Sequence, residues 1–242
     1  MANHENGIFV SASAIRDYLK CSQQVYYRIF EPELKISSRE MIMGEITHKV
    51  LEKAWQNKDV ALNLGMSLAR KENLDPIAIQ SIEHFIHTFF ERFTIIINHD
   101  DKVEKFFKVK LYDDVFLVGK FDRISRGTIV DWKTNSQPPK RIDNDPQFII
   151  YNLAYSLIYE KPPEGIYLAS LKDGSLVRYT ESKNHSEALI NQIIPEFVET
   201  VRKKNFIKSG LFTGACYKCP YKLQCLGTEA KDGMVYQQFI EE

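Results

Sequence analysis

Val115-Phe-Leu-Val-Gly-Lys-Phe-Asp-Arg-Ile-Ser-Arg-Gly-Thr-Ile-Val-Asp-Trp-Lys-Thr134 is the stretch on which the fold turns. Val115–Ile124 and Thr128–Lys133 are short runs rich in β-branched and aromatic residues, and Ser125-Arg126-Gly127 between them is a turn signal. They predict two antiparallel strands. Val103–Tyr112, ending at Asp113-Asp114, adds a third and completes a meander. Alternation along a strand puts Asp131 and Lys133 on one face and Trp132 on the other. Asp122, near the end of the preceding strand, joins them if the strands pair. Two carboxylates and a lysine on one patch of sheet are costly to bury without partners. Two carboxylates suit a hard divalent cation such as Mg²⁺, and a lysine beside them can orient a water or hold charge on a phosphate. An isolated Asp-x-Lys is more often a surface ion pair, so the rest of the chain must supply the context.

Upstream of these strands the pattern is helical. Ser11 and Ser13 are candidate N-caps for a helix running to about Phe30, which Glu31-Pro32 ends. A second helix is expected from Arg39 to Gln56, and two more over 59–72 and 76–97, split by Asp75-Pro76. Downstream, a proline-bearing loop leads to a helix over 147–160. Strands over 164–171 and 175–180 follow, joined by Lys172-Asp173-Gly174, and then a helix over 185–204. Helices lead, a mixed sheet follows and helices close. This is one α/β domain over 1–242, with a helical insertion at about 57–100, a cysteine loop at 205–227 and a tail at 228–242.

Three further patterns carry chemistry. His48 and Glu52 in Gly44-Glu-Ile-Thr-His-Lys-Val-Leu-Glu52 share a helix face, and a neutral imidazole is a common metal ligand. Gln147 and Tyr151 form a second pair four residues apart. Cys216-x2-Cys219-x5-Cys225, with Cys21 as the one distant partner, fits a four-thiolate site for a [4Fe–4S] cluster or Zn²⁺. Around these cysteines Arg202, Lys203, Lys204, Lys208, Lys218 and Lys222 alternate with aromatic residues, a composition suited to tracking phosphates and stacking bases.

Composition narrows the class without choosing it. The chain has 242 residues, 44% hydrophobic and 26% charged, which excludes a mainly disordered chain or a small disulfide scaffold. Thirty-two basic residues balance 32 acidic ones, so only local patches speak about a nucleic-acid partner. The longest apolar stretch, Phe148–Tyr159, is interrupted by Asn152 and Ser156 and is too short to span a membrane. MANHENGIFV has no basic start followed by an apolar core, so no signal peptide and a cytoplasmic location are expected.

Taken in order, these motifs resemble the PD-(D/E)XK nuclease superfamily, in particular its RecB-like branch with an iron–sulfur cluster, which includes exonucleases of recombination and of CRISPR adaptation. Gly44 to Glu52 is similar to the branch's G-x-x-x-H-x-x-L-E motif, Gly119 to Asp122 to G-x-x-D, Asp131 to Lys133 to D-x-K, and Gln147 to Tyr151 to Q-x-x-x-Y. Phe121 stands where the superfamily's name has proline. The resemblance implies a restriction-endonuclease-like core with a helical N-terminal elaboration and a C-terminal cluster loop. It implies Mg²⁺ or Mn²⁺ held by His48, Asp122 and Asp131, with the Trp132 carbonyl as a further ligand. Lys133 would act on the water or the phosphate, and Gln147 and Tyr151 would position the strand and the lysine. Cys21, Cys216, Cys219 and Cys225 would hold the cluster. Glu104 occupies a place where related enzymes often carry an acid, and ranks below Asp122 and Asp131. The partner implied is DNA, single-stranded or at ends, with proteins of a recombination or CRISPR complex. Two alternatives stand beside this one: a non-catalytic DNA-binding or scaffold protein of the same fold, and a zinc-clasped structural protein.

Overall fold

Strand β3 (Val115–Ser125) is the axis of assembly. In the computed structural model, which describes residues 7–34, 37–134, 139–217 and 219–227, antiparallel β2 (Lys102–Tyr112) lines one whole edge of it, from Lys102↔Ile124 to Tyr112↔Val115. The other edge is shared. Parallel β1 (Ile8–Val10) takes the beginning, Ile8↔Val115 to Val10↔Leu117. Antiparallel β4 (Thr128–Lys133) takes the end, Arg123↔Val130 to Ser125↔Thr128. β5 (Gly165–Ser170) runs parallel to β4, and β6 (Leu176–Arg178) antiparallel to β5. The result is a six-stranded mixed sheet containing the expected meander. β1 is absent from the sequence reading because three residues carry no alternation to recognise.

The helices also depart from expectation in places. The first predicted helix is two, α1 (Ala12–Lys20) and α2 (Ser22–Phe30), because the backbone is extended at Cys21 (φ −169°, ψ 111°). Ser11 caps α1, accepting from Ala14 N at 3.2 Å. α3 (Arg39–Ala54), α4 (Lys58–Lys71) and α5 (Pro76–Arg92) follow. α6 (Pro146–Tyr159) precedes β5, and the predicted last long helix is α7 (Lys183–Ala188) and α8 (Ile194–Lys203) joined by a π-helical turn at Leu189–Ile193. The cysteine loop contains two short helices, α9 (Gly210–Thr213) and α10 (Lys222–Leu226). The expected tail, 228–242, lies outside the described residues.

Burial divides between the two sheet faces. On one, Leu117, Phe121 and Ile129 pack with Ile15 of α1, Phe148 and Tyr151 of α6 and Phe197 of α8. On the other, Val130, Trp132, Ala169 and Leu171 pack under Phe85, Phe89 and Phe93 from α5 and its end, and Leu51 of α3. Phe89 meets the Trp132 ring edge-on at 5.3 Å. α4 closes a third cluster against α3 and α5, and Gly65 permits the approach: a Cβ there would sit 2.8 Å from Ile86 Cδ1. The motif-poor segment 57–100 thus buttresses α3 and the D-x-K strand. Beneath them Arg123, 1% exposed, pairs with Asp101 at 2.7 Å and lies 4.4 Å from the Trp55 ring.

Gly119 has a packing reason. A Cβ on it would meet Phe107 Cζ at 2.5 Å, and Phe107 packs tilted against Phe121, with ring centroids 4.6 Å apart. Gly119→Ala overpacks this layer and is expected to cost about 1–3 kcal/mol in chemical denaturation. An unchanged midpoint would show that Phe107 moves aside freely.

Candidate active site

β3 and β4 stop pairing after Arg123↔Val130, one residue short of Asp122 and Asp131. The ladder bond that would follow is replaced by a side chain: Trp132 N donates to Asp122 Oδ2 at 2.8 Å. Asp122 is thereby fixed by the backbone of the D-x-K strand. β2 offers Glu104, which the register of its neighbours (Val103↔Arg123, Lys105↔Phe121) sets opposite Asp122. Glu104 has φ +50°, a conformation unfavourable by about 1–2 kcal/mol for a residue with a Cβ. Alternation breaks there: Lys102, which period two would place on the face of Phe106, reaches Tyr159 of α6 instead. Backbone strain of this kind concentrates at functional sites.

α3 completes the group from above. His48 Nε2 lies 3.1 Å from the Trp132 carbonyl, and a carbonyl only accepts, so Nε2 carries the proton. Nδ1 then faces Asp122 Oδ1 at 3.5 Å and Glu104 Oε1 at 3.6 Å. Ligand atoms of His48, Glu104 and Asp122 all lie within 4.8 Å of one another. One imidazole nitrogen and two carboxylates converging on a point fit a divalent cation, with the ring oriented from behind by a carbonyl as metal-binding histidines are. The Trp132 carbonyl, expected as a ligand, performs that orienting contact.

Asp131 lies beside this trio, on the α6 face. Its Oδ2 is 2.8 Å from Lys133 Nζ, and its Oδ1 accepts from Gln147 Nε2 at 2.6 Å. Gln147 is fully engaged: Oε1 accepts from Lys133 Nζ at 3.0 Å and from Arg16 Nη2 at 2.8 Å, and Nε2 also donates to the Tyr151 hydroxyl at 2.8 Å. Two cations on Oε1 force the amide's orientation. Tyr151 in turn donates to the Lys120 carbonyl at 2.7 Å. Asp145 caps α6 by accepting from Gln147 N, and also holds Arg16. The structure thus gathers His48, Asp122, Asp131, Trp132, Lys133, Gln147 and Tyr151 in one place.

Three participants were missed or ranked low. Glu104 is 8% exposed in its side chain, and its rank suffered because a strand-end carboxylate is ordinarily solvated. Lys120 pairs with Glu104 Oε2, and only its place inside Gly119-Lys-Phe-Asp122 could have marked it. Arg16 reaches Gln147 across 131 residues of chain, a distance no local pattern crosses. Lys49, Lys53, Lys120 and Lys133 line an open cleft of about 920 Å³ above the trio.

Electrostatics pull the site's groups apart. Burial pushes the Asp122 carboxyl up, but His48, Lys133 and the Trp132 N–H outweigh it and hold it low. The Asp131 carboxyl is pushed up by burial and by Asp122, against Lys133. Burial disfavours the charged His48 ring, yet Asp122, Glu104 and Asp131 together raise its pKa to about 10. Burial and the two aspartates keep the Tyr151 phenol neutral.

The four cysteines meet elsewhere. All are free thiols and line one small enclosed pocket. The α1–α2 break is tied to the segment after α8: Ile207 N donates to Ser22 Oγ at 2.8 Å, and Tyr27 stacks on Tyr221. Gly210 leaves room, since a Cβ there would lie 3.1 Å from Cys216 Sγ and 3.3 Å from Cys21 Sγ. The predicted basic patch is largely engaged. Arg202 pairs with Asp114 and Lys203 with Glu199, Lys204 lies over the Phe30 ring, and Lys208 donates to the Cys225 carbonyl. Lys222 lines the cysteine pocket, and Lys218 lies outside the described residues.

A mixed sheet flanked by helices, parting at a bend lined by acids and a lysine, defines a nuclease fold of the metal-dependent class. The chain belongs to the PD-(D/E)XK nuclease superfamily, whose family model matches residues 10–226. It is also similar to the crystal structure of a "Putative exonuclease" from Eubacterium rectale, with TM-score 0.61 and 11% identity over 86% of this chain and 89% of that one. That likeness is one of fold. No curated protein matches the sequence. No helix among the described residues is long and apolar enough to cross a membrane.

With a folded-state pKa of about 10, His48 is protonated at neutral pH, so a cation binding at Nδ1 must displace that proton. Mn²⁺ affinity is expected to rise with pH up to that value. Calorimetry in buffers of differing ionisation enthalpy should show release of about one proton per Mn²⁺ at neutral pH. His48→Gln should abolish it; release unchanged in that variant would place the displaced proton elsewhere.

Proposed function

We propose that the protein is a Mg²⁺- or Mn²⁺-dependent DNA exonuclease, acting in the cytoplasm on single-stranded DNA or DNA ends in recombination, CRISPR adaptation or mobile-element processing. The supporting observation is the convergence of His48, Glu104 and Asp122 beside a Lys133–Asp131 pair. His48, Glu104 and Asp122 would hold the cation. When bound, it supplies Lewis-acid charge at the scissile phosphate and lowers the pKa of a bound water.

The chain's own groups do the rest. Lys133 keeps one face toward the cleft while Asp131 and Gln147 fix its Nζ, so its positive charge is pre-positioned for the charge that develops on phosphate oxygens. Gln147 and Tyr151 are positioning residues: they hold Asp131 and Lys133 in register with the Lys120 carbonyl on β3. Arg16 locks Gln147 from the α1 side. Lys49, Lys53 and Lys120 supply positive charge along the cleft for the strand's other phosphates.

The cysteine pocket is assigned to a [4Fe–4S] cluster held by Cys21, Cys216, Cys219 and Cys225, with a structural role. The supporting observation is that all four thiols line one small pocket, which brings Cys21 to the C-terminal trio.

End-labelled single-stranded DNA with Mn²⁺, using anaerobically purified protein, tests the nuclease. Wild type should degrade it, and Lys133→Ala should lower the rate about 10²–10³-fold, the usual loss of one pre-positioned charge-stabilising donor. No cleavage by cluster-loaded wild type, with binding retained, would favour the non-catalytic DNA-binding alternative. For the cluster, Cys219→Ala should lower iron content and melting temperature together. Zinc rather than iron in the anaerobic wild type would overturn that assignment.

A further inference from the structure

The sheet face that carries Asp122 is covered over β4 and β5 by α5 and α3, but among the described residues the same face over β1 and β2 is left exposed, as Phe9 and Phe106 show. Period two puts Phe116, Val118 and Lys120 of β3 on the face of Asp122, because Leu117 and Phe121 point into the core beneath α6. Phe106, Lys108 and Lys110 of β2 share it, since Phe107 and Val109 point the other way. Phe9 of β1 is its third aromatic: the register pairs Phe9 with Phe116, and their rings lie 6.0 Å apart. Phe106 is 61% exposed and Phe9 43%. Lys108 Nζ lies 4.7 Å from the Phe9 ring and 4.6 Å from that of Phe116, so the cation rests on the aromatic surface.

Lysines on the edge strand β2 have a sufficient reason in blocking edge-to-edge pairing. The phenylalanines do not; exposed apolar side chains on an edge work against that purpose. Flat rings and lysine ammonium groups alternating on one exposed surface are instead the makings of a stacking platform for a polyanion. The surface is continuous with the metal trio. Phe106 is two residues from Glu104 along β2, about 7 Å at about 3.4 Å per residue, and Lys120 bridges the two by pairing with Glu104. From Phe116 to Asp122 is about 20 Å by the same rise, room for roughly three extended nucleotides.

We propose that the open face formed by Phe9, Phe106, Lys108, Lys110 and Phe116 is a binding track for single-stranded DNA, delivering the strand past Lys120 to the Glu104–Asp122 site. Bases stack on Phe106 and on the Phe9–Phe116 pair while Lys108 and Lys110 follow the phosphates. Unpaired bases are required, since a duplex keeps its base faces stacked on each other. This extends the nuclease reading above and rests on it, but its test separates the two.

The full-length, cluster-loaded protein is titrated with a fluorescent oligothymidylate and with a duplex of the same length in Ca²⁺. Hydrolysis of thymidine 5′-p-nitrophenyl phosphate in Mn²⁺ reads the metal site without the track. Phe106→Ala should weaken oligothymidylate binding about tenfold and leave duplex binding and small-substrate hydrolysis unchanged. Lys108→Gln, an exposed change with little risk to folding, should lower the slope of log affinity against log salt by about 0.7, the value for one phosphate contact on a single strand. Unchanged oligothymidylate affinity and salt slope in both variants would overturn the track and leave the nuclease reading standing. Equal losses for duplex and single strand would overturn its restriction to unpaired bases. A concentration-dependent wild-type dimer that Phe106→Ala dissolves, with DNA affinity intact, would assign the face to a second copy instead. If the wild type hydrolyses neither substrate, the nuclease reading fails, and the affinities still decide the track.

Discussion

The parting of β3 from β4 is the constraint on which the site depends. Two paired strands would bury Asp122 and Asp131 against ladder hydrogen bonds, with no room for a ligand. Instead the pairing ends at Arg123↔Val130, and the Asp122 carboxylate takes the N–H of Trp132 that the ladder releases. One side chain therefore satisfies a buried backbone donor and fixes a cation-facing oxygen. The Trp132 peptide is held at both ends, N–H by Asp122 and carbonyl by His48, so D-x-K strand and metal group cannot shift independently. Trp132 itself is anchored in the core beneath Phe89 and Phe93, which is how the helical segment 57–100 reaches the chemistry without contributing a ligand.

The sequence was legible where chemistry and local period coincide. The meander, the loop prolines and the spacing of His48, Asp122, Asp131, Lys133, Gln147 and Tyr151 each follow from neighbours within a few residues, and the fold gathers them. What stayed hidden is long-range or strained. Glu104 ranks low in the sequence because its place beside Asp122 goes with a left-handed backbone that no local pattern announces. Arg16 is unreadable because its partners, Asp145 and Gln147, meet it only after the sheet has formed. The basic run near the C-terminus is legible as composition, but its contacts are not: Arg202, Lys203 and Lys208 also meet Asp114, Glu199 and a backbone carbonyl, partners that composition does not show.

The cysteine pocket and the metal site have opposite electrostatic needs. Burial raises the Cys216 and Cys219 thiols, and the negative charge of neighbouring cysteines raises them further. The fold prepares the pocket by other means. Ser22 and Ile207 exchange hydrogen bonds, Thr213 reaches the Lys20 carbonyl, and Tyr27 stacks on Tyr221. The two ends of the chain are thus joined by neutral contacts, and the thiols are left facing a space.

At the metal site the carboxylates are already balanced from within. Protonated His48, Lys120 paired to Glu104 and Lys133 paired to Asp131 stand in for the charge that a divalent cation brings. These three cations differ in how freely they leave. Lys133 is held by Asp131 and Gln147 together, and its side chain is 22% exposed; Lys120 has one carboxylate partner and is 52% exposed. His48 can lose its proton without moving. An incoming cation is therefore expected to displace the His48 proton and the Lys120 contact, and to leave Lys133 in place. On the proposed reading, the freed Lys120 ammonium would lie between the aromatic face and the cation, in reach of a strand's phosphate.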